Sequence, residues 1–369
     1  MNRPLTIDKA KTDRSLFARI AANPATLASA LILGLMALAC LIGPILSPHP
    51  YDRVYRDYVL IGPSLTAHPD TTEVDAAMSD IARRMRVEIA ATQNDGTKLR
   101  ATLTSDRPID ARALRYFDRS DIFAPAHIVS SEDEGRRLSL EAPLRREVFL
   151  FGTDANGRDL LTRILIAGRV SLAVGLLASF VALVIGVTFG AVAGYAGGRV
   201  DAVMMRIVEI VYALPFIFLV IVLTMIFGRN FILIFVAIGA VEWLDMARIV
   251  RGQTLTLKRR DYVLAAEALG APARAILWRH IIPNALGPIA ASLTLLVPRV
   301  ILLESFVSFL GLGVQEPLTS WGVLISDGAR TIQSAAYLLI FPALFLAVTL
   351  GALQILGDGW RGFFETRND

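Results

Sequence analysis

"LAAEALGAPARAILWRHIIPN", residues 264–284, lies between two strongly apolar stretches and resembles neither in composition. Tyr262 to Leu269 reads as one short helix, Gly270 breaks it, Pro272 suits the first position of a second helix, and Pro283 ends that one. The expectation is two short helices in water. Ala265, Ala266 and Ala268 leave the first helix thin enough to sit deep in a groove, and Arg259, Arg260, Arg274 and Arg279 can pair with acidic groups on a rim. Basic residues here equally obey the charge asymmetry of loops that flank membrane spans. Residue types alone leave both readings open.

Outward from this segment the chain is built for lipid. Of its 369 residues 54% are hydrophobic, and the mean hydropathy is +0.54, above that of an ordinary soluble domain. A hydrocarbon core takes roughly 20 apolar residues in a helix. Six stretches qualify: 26–47, 170–193, 204–228, 231–250, 284–313 and 334–357. The first is too long, and lacks the small-residue cleavage site expected after "ALACLIGPILSPHP", so it reads as a retained anchor. The single cysteine, Cys40, lies within it and excludes an intrachain disulfide.

Lysine and arginine in the short flanks set the orientation. With the N-terminus inside, the inner segments hold Arg3, Lys9, Lys11, Arg14 and Arg19, then Arg199 and Arg206, then seven residues across 248–280 and two at the C-terminus. The short outer loops hold only Arg229 and Arg330. Both termini are expected in the cytoplasm.

Between the first two apolar runs the composition changes: 32 of the 70 charged residues fall between Tyr51 and Val148, the signature of a water-soluble insertion. "TTEVDAAMSDIARRMR" places Val74, Met78 and Ile81 at helical spacing, and "RVEIAATQNDGTKLRATLT" reads as two strands around an Asn-Asp-Gly turn. "PIDARALRYFDR" then reads as a helix and "HIVSSEDEGRRLSLEA" as a second hairpin, around Glu134-Gly135. Two helix-hairpin units imply a small α+β domain. With 15 basic and 17 acidic residues it makes no electrostatic case for nucleic acid.

The expected layout is a cytoplasmic tail (1–25), a first transmembrane helix (26–47), an extracytoplasmic α+β insertion (48–150), an amphipathic helix on the outer membrane face capped by Asp154 (151–167), a transmembrane domain (168–357) containing the loop 251–283, and a tail (358–369). The fold class is therefore all-α and polytopic, with six transmembrane helices and the inserted domain.

Charges inside spans cost a few kcal/mol each and face a protein interior or water. Glu209, Glu242, Asp245, Arg299 and Glu304 are the candidates. Arg299 is near the middle of the fifth span, and Glu304, five residues on, is about 500° round the helix, so the two do not share a face. Each is a candidate either for lining a substrate path or for pairing with a partner subunit. Glu242 and Asp245 are placed near the cytoplasmic end, where snorkelling makes them less telling. Pro215 and Pro298 are expected to bend their helices.

Other chemistries find no support. Gly152-x4-Gly157 is followed by Arg158-Asp159, not the Lys-[Ser/Thr] of a phosphate loop. Asp154, Asn156 and Asp159 lack the spacing and closing Glu of a calcium loop. His49, His68, His127 and His280 are scattered away from metal-ligand spacing, and there is no Gly-x-Ser-x-Gly elbow. No metal site and no enzymatic constellation is expected.

The opening segment resembles the "EAA" loop of ABC importer permeases, with Leu264, Ala265, Ala266, Gly270, His280, Ile282 and Pro283 at its positions. Leu264 replaces the family's Glu and His280 its Ile. "RHIIPN" (279–284) is similar to the oligopeptide and dipeptide permease form, as are "FGTDANGRDLLTRILIAGRVSL" (151–172), "GYAGGRVDAVMMRIVE" (194–209), "ARIVRGQTL" (247–255), "SFLGLGV" (308–314), "SWG" (320–322) and "LGDGWR" (356–361), in the right order.

The resemblance implies the type I ABC importer permease fold in a bacterial inner membrane. It implies half of a translocation path for peptides, completed by a second homologous permease. Two cytoplasmic ATPases would carry the ATP and magnesium, and an extracytoplasmic binding protein would deliver substrate. This chain would bind no cofactor and catalyse nothing. Leu264, Ala265, Ala266, Glu267, Gly270, Arg279, His280 and Pro283 would couple to the ATPases, and Glu209, Arg299 and Glu304 would be candidates for the path. Related permeases carry nickel or other small solutes, and Arg299 and Glu304 also leave a secondary transporter open.

Overall fold

The computed structural model describes residues 23–228 and 231–365. The tail residues Arg3, Lys9, Lys11, Arg14 and Arg19, and Arg229 of the outer loop, lie outside the described residues. In chain order the helices of eight residues or more are α1 (Pro24–Leu46), α2 (Thr71–Met85), α3 (Leu160–Ala196), α4 (Gly198–Tyr212), α5 (Phe216–Phe227), α6 (Phe231–Leu257) and α7 (Asp261–Ala268), and the helix expected from "PIDARALRYFDR" is only a 3-10 turn, Ala111–Leu114, followed by one α turn, Arg115–Asp118. They continue with α8 (Ala273–Phe309), α9 (Trp321–Arg330) and α10 (Tyr337–Glu365). The strands β1 (Glu88–Asn94), β2 (Lys98–Thr104), β3 (His127–Glu132) and β4 (Arg137–Pro143) all fall between α2 and α3.

The chain divides into two compact units. One comprises Ser47–Arg163 with Thr331–Leu338, and the other comprises the described residues of 1–46, Ile164–Arg330 and 339–369. In the smaller unit the strands form one antiparallel sheet in the order β1-β2-β4-β3. Alternation along β2 and β4 sends Leu99, Ala101, Leu103, Leu138, Leu140 and Ala142 to one buried face. Val74, Met78 and Ile81 of α2 are buried in the same core, as their spacing predicts. Asp70 and Glu73 form a capping box at the start of α2, each side chain accepting the other's backbone N–H at 2.8 Å. Both hairpins turn where the residue types demand, with Gly96 at φ +83° and Gly135 at φ +85°.

This unit is wider than the 48–150 expected from charge density. Phe149 is fully buried against Tyr55 and Tyr58, and Tyr337 donates its hydroxyl to the carbonyls of Ile61 at 2.9 Å and Thr153 at 2.8 Å. Apolar and neutral residues of this kind leave no mark in a charge count.

The expected separate helix over 151–167 is corrected. Residues 151–159 form a turn in which Asp154 accepts from the backbone of Asn156 and Arg158, at 2.8 and 2.9 Å, and from Arg158 Nε at 2.8 Å. Asp159, not Asp154, caps the helix by accepting from Thr162 N at 2.7 Å. With no proline after it until Pro215, the helix runs unbroken from Leu160 to Ala196.

Among the described residues, four helices are long and apolar enough to cross a membrane: α1, α3, α8 and α10. The pair α4 and α5 adds a fifth if it is one broken crossing. The two meet at 78°, so the expected span 204–228 is broken between Tyr212 and Phe216, where Pro215 takes extended backbone as the N-cap of α5. The expected fourth span, α6, carries Glu242, Asp245 and Arg248 among its apolar residues.

Two devices hold this unit. Pro44 cannot donate to the Cys40 carbonyl, and Arg169 of α3 fills the gap, bonding Cys40 O through Nε and Leu41 O through Nη2, each at 2.6 Å. Gly186, Gly190 and Gly194 form a stripe on α3 against which α6 packs: a Cβ at 186 would lie 2.6 Å from Met246 Cβ, and one at 194 would lie 2.8 Å from Thr254 Cβ.

Candidate functional site

The opening segment folds as a turn between α7 and α8. Asp261 lies in the first turn of α7, where a carboxylate suits the helix dipole. The helix ends in a Schellman motif: Ala271 N donates to Ala266 O at 3.0 Å and Gly270 N to Glu267 O at 2.9 Å, with Gly270 at φ +78°. Only glycine adopts that angle without strain. Pro272 then serves as N-cap of the following helix.

The expectation of a second short helix ended by Pro283 is corrected. From Ala273 the chain passes through a π turn, Leu277–Ile281, directly into the long body of α8, with Pro283 in the first turn after it. The wider turn absorbs the proline's missing N–H, and the Asn284 side chain donates to His280 O at 2.6 Å. The segment is thus joined rigidly to α8 on one side, while the glycine turn joins it to α7.

Its underside is apolar: Val263, Ile276 and Ile281 are buried together, with Ala266, Leu257, Leu277 and Tyr195 packed against them. Its outer side leaves large apolar groups in the open. Leu264 is 50% exposed, Trp278 55% and Leu269 88%. Ala265, Arg274, Arg279 and Pro283 are exposed as well, and His280 is half-buried with its ring 6.4 Å from that of Tyr262. Glu267 accepts from Tyr195 Oη at 2.9 Å. Of the coupling residues read from sequence, Leu264, Ala265, Arg279 and Pro283 lie on the outer side, Ala266 faces the apolar underside, Gly270 makes the turn, and Glu267 binds back to α3.

The mid-span charges fall into three separate places. Arg299 of α8 pairs with Asp245, Nη1 to Oδ2 at 2.6 Å, and with Glu242, Nε to Oε2 at 3.5 Å. Glu242 and Asp245 are three apart on α6 and so present one face. They form one cluster with Arg299, which corrects their reading as groups at a helix end. The cluster borders a groove of about 400 Å³ whose lining includes Asp245, Arg248, Ser292 and Arg299. Arg248 lies 4.3 Å over the Tyr212 ring.

Glu304 is fully buried elsewhere, accepting from Ser171 Oγ of α3 at 2.9 Å and Ser308 Oγ at 2.7 Å. Glu209 is exposed and paired with Arg206 at 2.8 Å. Arg299 and Glu304 therefore diverge, as the helix arithmetic requires, and only Arg299 of the three borders this groove.

Sequence reasoning missed two groups. Asp201 of α4 takes Arg251 of α6 in a bidentate pair, both bonds 2.5 Å. Lys258 donates to Tyr195 O at 2.6 Å. Neither pairing has a signal in linear spacing.

Among the described residues no group of three or more His, Cys, Asp or Glu is placed to hold a metal.

Residues 186–369 match the family described as binding-protein-dependent transport system inner membrane component, and residues 14–75 match the N-terminal TM domain of oligopeptide transport permease C. The chain is 51% identical over 237 residues to the oligopeptide transport system permease protein OppC of Haemophilus influenzae, covering 64% of this chain and 76% of that one. It is 52% identical to OppC of Escherichia coli K12, covering 64% and 78%, and 48% identical to the dipeptide transport system permease protein DppC of Bacillus subtilis, covering 57% and 66%. A solved structure of the MetNI methionine ABC transporter, inward facing, is similar at 19% identity and TM-score 0.45, covering 53% of this chain and 93% of that one. By the two matched regions and half-identical sequence over three quarters of a relative, the chain belongs to the binding-protein-dependent transport system inner membrane component family, as a permease of the OppC kind.

Proposed function

We propose that this permease forms one half of the membrane path of an ATP-driven importer of oligopeptides or dipeptides, beside a second homologous permease. In this reading two cytoplasmic ATPases bind ATP and magnesium, and an extracytoplasmic binding protein delivers the peptide. Six crossings, α1, α3, the broken pair α4 and α5, α6, α8 and α10, leave both termini in the cytoplasm and the Ser47–Arg163 unit outside.

The passage of α6 through lipid is supported by its pairings. Arg299 faces Asp245 and Glu242, and Asp201 faces Arg251, so these charges meet opposite charges within the chain rather than hydrocarbon. The same pairing speaks against a secondary transporter that relies on Arg299 as a free coupling charge.

The single observation that carries the ATPase-coupled reading is the 261–283 segment. Its underside is packed, its turn is set by Gly270, and its outer side offers Leu264, Leu269 and Trp278 with Arg274 and Arg279 beside them. Exposed apolar groups ringed by charge are the chemistry of a protein interface. In operation, closure of the ATPases displaces this segment, and α8, continuous with it, carries the displacement into the bundle.

The test is peptide accumulation in vesicles that hold this chain with its partner permease, ATPases and binding protein. Accumulation should require ATP and all the partners. Equal uptake without ATPases, driven by an ion gradient, would refute the proposal.

A further inference from the structure

Tyr195, the penultimate residue of α3, touches three elements at once. Its hydroxyl donates to Glu267 Oε1 of α7 at 2.9 Å. Its carbonyl accepts from Lys258 Nζ, just past the end of α6, at 2.6 Å. The same ammonium lies 5.0 Å from the Tyr195 ring centroid, and the ring packs against the cluster of Val263, Ile276 and Ile281.

The elements on either side of this junction differ in stiffness. Along the Gly186, Gly190 and Gly194 stripe the backbones of α3 and α6 approach so closely that a Cβ at 190 would meet the Ala247 carbonyl and lie 3.0 Å from Arg251 N. Two helices so close, with α3 contributing no side chain at these three positions, move as one body. The body of α7 is held otherwise. Its buried contact with the rest is apolar, which resists separation but sets no direction. Between α7 and α3, the bond from Tyr195 to the Glu267 carboxylate is the directional tie, and a charged acceptor makes it a strong one.

We propose that Tyr195 is a positioning residue that passes displacement of α7 to the α3–α6 pair, giving the 261–283 segment a second route into the bundle besides α8. This rests on the importer reading above. When α7 is pushed, the apolar underside alone would let it slide over Tyr195. The hydroxyl–carboxylate bond converts the slide into a pull on the end of α3, and the glycine seam carries that pull to α6.

The test uses the full importer in vesicles, with three readouts: assembly, ATP hydrolysis, and peptide moved per ATP. Tyr195→Phe keeps the ring, its packing, the ammonium above it and the backbone carbonyl, and removes only the donor. Complexes should assemble and hydrolyse ATP, while peptide per ATP falls about threefold to tenfold, the scale of one hydrogen bond to a charged group at a partly exposed site.

Glu267→Gln keeps an acceptor oxygen but not the charge and should lose only part of the ratio, whereas Glu267→Ala should match Tyr195→Phe. The double change Tyr195→Phe with Glu267→Ala should be no worse than either alone. A wild-type ratio in Tyr195→Phe overturns the proposal. So does Glu267→Gln falling as far as Glu267→Ala, which would assign Glu267's role to its charge, or a double variant whose loss is the product of the two. If the unaltered importer moves no peptide on ATP, the importer reading itself fails; if it does and Tyr195→Phe is unchanged, only the junction fails.

Discussion

Replacing Arg299 by leucine separates two quantities that a charge in a membrane helix usually confounds. Leucine is the better residue for entering lipid: on insertion scales arginine costs about 2.5–3.5 kcal/mol at mid-span and leucine is slightly favourable. Insertion of Arg299→Leu should therefore equal or exceed that of the parent. The folded bundle should lose stability, because Glu242 is 2% exposed and its carboxylate reaches Arg299 at 3.5 Å.

Breaking one side of a buried ion pair costs about 3–5 kcal/mol. The Arg299 side chain is 51% exposed and that of Asp245 32%, so solvent screens part of this, and about 2–3 kcal/mol is expected. Glu242→Gln in the same chain removes the orphaned charge and should restore about half. The assay is the thermal midpoint of the detergent-solubilised permease, run beside membrane insertion. Arg299→Leu melting with the parent, and the double variant melting no higher than Arg299→Leu, would refute the argument that these charges stabilise one another.

Gly270→Val places a branched side chain at φ +78°, where nothing crowds it but its own backbone; a cost of about 1–2 kcal/mol in the turn is expected, and co-purification of the ATPases or uptake should fall while insertion persists. Gly190→Leu drives a side chain against the Ala247 carbonyl and should cost about 1–3 kcal/mol in the same melting assay, more than Gly252→Leu, whose Cβ meets open space. The soluble fragment 47–163 should unfold cooperatively in a circular dichroism melt and 51–148 should not, since the shorter one lacks the buried Phe149; equal cooperativity would contradict the observed boundary. Burial raises the Asp121 carboxyl, with the neighbouring Asp57 charge adding to it, above its ordinary range. A group raised in the folded state contributes stability below its unfolded value and loses it as pH rises through the folded one. Asp121→Asn should therefore melt higher than the parent fragment at neutral pH and together with it below about pH 3.

The apolar runs mark by themselves the apolar stretches of α1, α3, α8 and α10, because a helix that faces hydrocarbon has to be mostly apolar, but not the starts of α3 and α8. The hairpins were equally legible, since Asn94-Asp95-Gly96 and Glu134-Gly135 place the residue types a tight turn requires directly between alternating strands. Gly270 was legible as a break for the same local reason, and the family from motifs spread along the last 220 residues or so.

What the tertiary structure decided is every partnership across distance. Asp245 and Arg299 are 54 residues apart, Tyr195 and Glu267 are 72 apart, and Arg169 reaches back 129 residues to the Cys40 carbonyl. Local pattern also misjudged Pro283, because a helix can widen by one residue to keep its path when packing holds both ends, and it chose Asp154 over Asp159 as a cap, because both satisfy the same local rule. Turns and spans follow from forces within a few residues. Pairing of charges follows from which helices pack side by side, and that is settled only when the whole chain has folded.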